Sequence, residues 1–162
     1  MQPIVIAILC LGLVACASQP AADIAPRAGN VACKPTSEAE IAGLFERWNA
    51  SLATGSPAKV VENYAARSLL LPTMSNTPRL TVAEKEDYFV HFLQDQPSGR
   101  VEMRQVQLGC NTASDTGLYT FAFARTGKVV RARYSYVYAW DGRQWLITSH
   151  HSSAMPEAAA SH

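Results

Sequence analysis

Four residues able to do chemistry stand side by side near the end of the chain: His150, His151, Ser152 and Ser153, in the stretch WLITSHHSSAMPE from Trp145 to Glu157. Histidine offers acid/base chemistry near neutral pH or a metal-binding nitrogen, and serine offers a hydroxyl. The spacing narrows these options. On a strand, neighbouring side chains point to opposite faces. Trp145, Ile147, Ser149, His151 and Ser153 then share one face, and Leu146, Thr148, His150 and Ser152 the other. Two diverging histidines do not readily hold one ion, and no Asp, Glu or His stands two residues away, so no metal site is expected. Nucleophilic catalysis by Ser152 or Ser153 lacks an acid to orient the imidazole, and there is no nucleophile elbow. The Trp145 face begins with large apolar residues and ends with polar ones, which suits a strand running from core to pocket mouth. His151 and Ser153 are therefore expected to face a cavity, and His150 a subunit interface.

Arg133 is a stronger signal. It shares a strand face with Ser135 and Val137, and a lone charge is costly to bury. Either a carboxylate of the protein neutralises it, or a pocket takes an anionic ligand there. Arg79, in SNTPRL, reads as a second basic group at the pocket mouth or as a surface arginine. Tyr64 and Tyr119 are candidate pocket walls. The other face of the Arg133 strand carries Tyr134, Tyr136 and Tyr138, an aromatic stripe expected at a dimer interface.

The elements that must hold these groups follow from periodicity. Ser37 and Glu40 have capping-box spacing, and Ile41, Leu44, Phe45, Trp48 and Leu52 form a helical face ending at Gly55. Ser56-Pro57 opens a second, short helix. Leu69-Leu70-Leu71 is a brief strand stopped by Pro72. Thr81 and Glu84 cap a third helix carrying Tyr88, Phe89, Phe92 and Leu93. From Arg100 the period changes to two. Turns expected at Asp115-Thr116-Gly117, Thr126-Gly127 and Asp141-Gly142 divide the rest into four strands. Helices first and a meander afterwards define an α+β domain, with three helices on one face of a curved antiparallel sheet.

The ends and the charge add constraints. The chain has 162 residues, enough for one domain. Ile4 to Val14 is an apolar run too short to span a bilayer and suited to a signal peptide. Leu13-Val14-Ala15-Cys16 resembles a bacterial lipobox, which implies lipidation of Cys16, while Ala15-Cys16-Ala17 is also an A-x-A site giving a soluble product. The expectation is an exported, periplasmic protein whose contact with a membrane is an N-terminal lipid. Residues 18–35 read as a linker and residues 158–162 as a tail. With Cys10 and Cys16 removed or processed, Cys33 and Cys110 are left, and two leftover thiols in an oxidising compartment most simply pair. Fourteen basic and thirteen acidic residues are scattered without blocks, which points away from nucleic acid. No glycine-rich phosphate loop occurs, and no cofactor is expected.

Arg133-Tyr134-Ser135-Tyr136-Val137-Tyr138, then Asp141-Gly142, Trp145, Ile147, His151 and Ser153, resemble the closing strands of the nuclear transport factor 2-like superfamily. Within it the chain is most similar to the association domain of calcium/calmodulin-dependent protein kinase type II and its bacterial stand-alone relatives, with SnoaL-like proteins as cousins. The resemblance covers roughly Thr36 to Glu157. It implies a cone-shaped fold with a pocket at the wide end, homodimers or higher oligomers, and basic residues in the pocket for small carboxylates. It implies nothing of kinase chemistry, since no H-R-D or D-F-G motif is present. The kinase domain's penultimate-strand and last-strand arginines align with Ser135 and Ser152, so ligand identity does not carry over. The expectation is a homodimeric ligand-binding or oligomerisation module. Arg133, His151, Arg79, Tyr64, Ser135, Ser153 and Tyr119 would serve a small organic ligand, a carboxylate being one candidate. The alternative is a SnoaL-like isomerase or cyclase with His151 as acid/base.

Overall fold

The computed structural model describes residues 32–73 and 75–156. The signal segment, Cys16, most of the linker and the tail lie outside the described residues. Helix α1 spans Glu38–Leu52, α2 Pro57–Val61 and α3 Val82–Phe92. Strands are β1 Tyr64–Leu71, β2 Pro97–Leu108, β3 Thr112–Phe123, β4 Lys128–Trp140 and β5 Trp145–Ala154. The sheet order is β1-β5-β4-β3-β2. The last four strands form the expected antiparallel meander, and β1 lies parallel to β5 at one edge.

Local chemistry explains the helix starts. Thr81 Oγ1 accepts the Glu84 amide while the Glu84 carboxylate accepts the Thr81 amide, a complete capping box. At α1 only half of the expected box forms. Ser37 caps Glu40, but the Glu40 carboxylate is taken by Lys34 and Thr36. Helix α1 lays Ile41, Phe45 and Trp48 onto the sheet, and all three are buried.

Three sequence expectations are corrected here. First, Asp115-Thr116-Gly117 is not a turn but lies inside β3. The β2–β3 turn is at Gly109 to Asn111, with Asn111 in the left-handed region (φ 57°). Gly117 answers a different need. A Cβ there would lie 1.9 Å from the Met103 carbonyl oxygen, where a bulge brings β2 close. Second, the tyrosine stripe is not an interface. Tyr134, Tyr136 and Tyr138 are 2%, 0% and 0% exposed and face the helices, so Arg133, Ser135 and Val137 face outward. Third, β5 does not keep strict alternation. Ile147 pairs with Tyr138 and Ser149 with Val137, leaving Thr148 as an extra residue. That bulge reverses the parity after Ile147, so Trp145, Ile147, His150 and Ser152 all point inward.

Cys33 and Cys110 are joined in a disulfide, with their Cα atoms 4.8 Å apart. Asn111 reinforces the staple by accepting the Lys34 amide and donating to the Ala32 carbonyl. The Lys34 ammonium sits 4.8 Å from the centre of the Trp140 ring. The bridge closes a loop with a sequence separation of 77, so the chain-entropy effect is large. Replacing both cysteines by serine is expected to lower stability in urea unfolding by roughly 2–4 kcal/mol. A midpoint identical to the parent's would show that the bridge contributes nothing.

Candidate functional site

The parity reversal in β5 creates the site, because it turns His150 and Ser152 inward beneath α1 and α3. They form part of the wall of a cavity of about 400 Å³. Trp48 from α1, Tyr88, Phe89 and Phe92 from α3, and Tyr119 and Phe121 from β3 supply an aromatic lining. Thr73 and Arg79, from the segment after β1, complete one side. That segment is tied back on β1 by paired backbone bonds between Leu70 and Arg79, of 3.0 and 2.9 Å.

Two polar arrangements meet this cavity. In one, Tyr119 donates its hydroxyl hydrogen to Ser152 Oγ, which also hydrogen-bonds Thr73 Oγ1. In the other, Trp48 Nε1 lies 3.2 Å from Tyr64 Oη, which lies 2.8 Å from His150 Nδ1. The His150 ring stacks on Tyr136 with centroids 4.1 Å apart. Its Nε2 is buried and has no hydrogen-bond partner among the described residues, and the same is true of Arg79 Nε. A buried polar atom left unpaired costs about 1–3 kcal/mol, and both atoms belong to residues of the cavity wall.

Electrostatics follow from burial. Desolvation, with a smaller push from His151, lowers the His150 pKa to about 3, so the imidazole is neutral at pH 7. Burial raises the Tyr64 and Tyr119 hydroxyls, which therefore stay protonated. Tyr88 is pushed up to about 12 by burial, against the opposing charge of Arg79. Asp95 is the carboxylate in the lining, and it pairs with Arg125. Lys128 and His91 also reach the wall. Among the described residues no three His, Cys, Asp or Glu side chains gather as a metal-ligand set.

The candidate residues divide into two groups. Arg79 and Tyr119 line the cavity, and Tyr64 stands directly behind His150. Arg133, Ser135, His151 and Ser153 are instead on the outer sheet face. There Arg133 and His151 are exposed, and Arg133 donates to the Ala154 carbonyl at 3.3 Å. The expectation that Arg133, Ser135, His151 and Ser153 serve the pocket is therefore corrected, as is the placement of His150 at an interface. His150, Ser152, Thr73 and Trp48 were missed. The buried tyrosine face of β4 was the available clue, since Tyr136 pairs with His150 and Tyr134 with Ser152. A separate inward cluster stands around Asp115, which is 0% exposed. Its carboxylate accepts from Tyr134 Oη at 2.8 Å, and Arg104 Nε lies 3.0 Å from its other oxygen, a buried ion pair that leaves Arg104 Nη2 without a hydrogen-bond partner among the described residues.

The family described as Calcium/calmodulin dependent protein kinase II association domain matches residues 37–156. A crystal structure from Xanthomonas campestris, named for the same association domain, is 46% identical with a TM-score of 0.71, covering 76% of this chain and 91% of that one. The iota-carbonic anhydrase of a cyanobacterium, complexed with bicarbonate, has 20% identity and a TM-score of 0.67, covering 76% and 94%. A nuclear transport factor 2-like protein with a cystatin-like fold from Novosphingobium aromaticivorans has 11% identity and a TM-score of 0.62, covering 75% and 83%. The last two share the fold. None of the curated proteins matches the sequence.

The lowered His150 pKa has a consequence for stability. Between the ordinary value of 6.5 and about 3, the unfolded chain takes up a proton that the folded chain refuses. This contribution is full above pH 6.5 and is lost as the pH falls, by up to about 1.4 kcal/mol per pH unit. Urea unfolding from pH 7 to pH 4 should therefore fall less steeply for His150→Gln than for the parent. Equal slopes would mean that His150 is not buried neutral.

Proposed function

Because this chain belongs to the calcium/calmodulin dependent protein kinase II association domain family, we propose that it is a self-associating module whose cavity binds a small oxyanion. The observation carrying this reading is the polar part of the cavity wall: Arg79 and His150, beside the hydroxyls of Ser152, Thr73 and Tyr119. Donors of this kind suit a carboxylate or bicarbonate oxygen. The aromatic walls exclude water and strengthen each contact. About 400 Å³ is in the lower part of the roughly 300–1,000 Å³ range of small-molecule sites. Bicarbonate is the first ligand to test, since a carbonic anhydrase of this fold was crystallised with it; small organic carboxylates are the next.

Self-association uses the outer sheet face in this reading. There Val137 is 38% exposed and shares the surface with Arg133, Ser135 and His151. Export belongs to the same proposal. The Cys33–Cys110 bridge supports it, because such bonds persist in oxidising compartments. Cys16 would supply the lipid tether.

A second reading makes the same site catalytic. Ser152 Oγ is bonded to both Tyr119 and Thr73, a chain along which a proton can shift. Water held there would add to carbon dioxide, forming the new C–O bond, and the released proton would pass through the hydroxyls to buffer, leaving bicarbonate. The SnoaL-like alternative loses its acid/base group, because His151 stands outside the cavity.

Calorimetry with bicarbonate and acetate tests the binding reading. Ser152→Ala or Arg79→Gln should weaken binding by roughly tenfold, about the worth of one charge-assisted hydrogen bond. Arg133→Ala should leave it unchanged. The proposal is wrong if the parent binds neither anion, or if Arg133→Ala alone abolishes binding. Stopped-flow hydration of carbon dioxide decides the second reading: turnover lost in Ser152→Ala supports it, and a parent rate equal to buffer removes it.

A further inference from the structure

One hydrogen bond behind His150 has a fixed direction, and it constrains a second. The indole N–H of Trp48 can only donate, so its 3.2 Å contact makes Tyr64 Oη an acceptor. Tyr64 then has one proton to give, and the nitrogen in reach is His150 Nδ1 at 2.8 Å. The Tyr64 proton has no other acceptor among the described residues, so Nδ1 accepts it, and in a neutral imidazole the ring proton resides on Nε2. An imidazolium would instead need Nδ1 to donate, leaving the Tyr64 hydroxyl proton without an acceptor among the described residues. The groups packed on the ring are Trp48 from α1, Tyr64 from β1 and Tyr136 from β4, and none is a carboxylate that would favour the cation. His151, on the same strand, points to the outer face. Arg79, His91 and Lys128 are the basic side chains in the cavity wall, and Asp95 is engaged by Arg125.

We infer that Trp48 and Tyr64 are positioning residues that lock His150 in the Nε2–H tautomer, so that the unpaired ring nitrogen at the cavity wall is a neutral N–H donor rather than a lone pair. The part of this inference that concerns the ligand rests on the oxyanion reading above. It sets the specificity of the site. An unprotonated carboxylate or bicarbonate oxygen can accept from Nε2–H, whereas an ammonium or a metal ion would need the lone pair that the lock places against Tyr64. It also explains why two buried aromatic side chains direct polar atoms at one another inside the core. Trp48 and Tyr64 are 2% and 6% exposed, and apolar residues of similar shape would fill the same space.

Nitrogen-15 NMR of the ligand-free protein reads the tautomer directly. The expected spectrum for His150 shows a protonated Nε2 and an unprotonated Nδ1. Tyr64→Phe keeps the ring and removes the donor. It should give a mixture of tautomers and weaken acetate binding by roughly tenfold, the effect expected when a donor is no longer held in place. Trp48→Phe frees the Tyr64 oxygen to accept and should shift part of the population to Nδ1–H, which covers the case in which Tyr64→Phe fails to fold. A parent spectrum showing Nδ1–H or imidazolium overturns the lock, as does an unchanged tautomer in both variants. An intact Nε2–H signal in a protein that binds neither acetate nor bicarbonate overturns the oxyanion reading and leaves the lock standing.

Discussion

Burial of the aromatic face of β4 beneath α1 is the constraint from which the rest of the structure follows. The strand offers two faces, and one must be covered: Tyr134, Tyr136 and Tyr138, or Arg133, Ser135 and Val137. Each aromatic ring removes roughly 150–250 Å² from water, about 4–6 kcal/mol at ~25 cal/mol per Å² as an upper estimate. Against this stand the hydroxyls of Tyr136 and Tyr138, unpaired among the described residues, at about 1–3 kcal/mol each. Turning the strand over would bury the Arg133 guanidinium, at a penalty of several kcal/mol for an unpaired charge. The tyrosines go inside, and Phe45 and Trp48 of α1 pack against them.

The site depends on that choice through pairing. Once the tyrosines are inside, their partners on β5 are set by register, and the extra residue Thr148 brings His150 and Ser152 to the same side. The bulge is thus the device that converts a continuation of the core into a polar cavity wall. Ser152 lies in that wall. Its hydroxyl, bonded to Tyr119 and Thr73, makes this end of the cavity one of neutral donors, with Arg79 as the nearby guanidinium. The disulfide and Asn111 work at the other end of β3. They secure residues 32–35 near Thr112, while the cavity lies toward Phe123. Anchorage and binding are therefore separated along the sheet.

Much of the fold was legible in the sequence. Helix starts were marked by Ser37, Ser56-Pro57 and Thr81, and the β4–β5 turn by Asp141-Gly142, where Gly142 has φ 99°. These are local decisions, made by capping hydroxyls and by the backbone freedom of glycine. The association-domain family was legible in the closing strands for the same reason, since the motif reports strand pattern and turn chemistry. The α+β order of helices before meander followed from the change of period at Arg100.

The site was less legible, because strand faces were assigned by counting alternate residues. Counting cannot detect an insertion such as Thr148, which has no local signature and exists only as a mismatch between paired strands. Gly117 misled for a related reason. It was read as a turn glycine, whereas its missing side chain accommodates the Met103 carbonyl of another strand. The sequence by itself determined the helices and their starts, the pair of cysteines available for a bridge and the family, because these depend on neighbours in the chain. Tertiary structure decided which of His150 and His151 enters the cavity, because that depends on register against β4 and on the burial of three tyrosines.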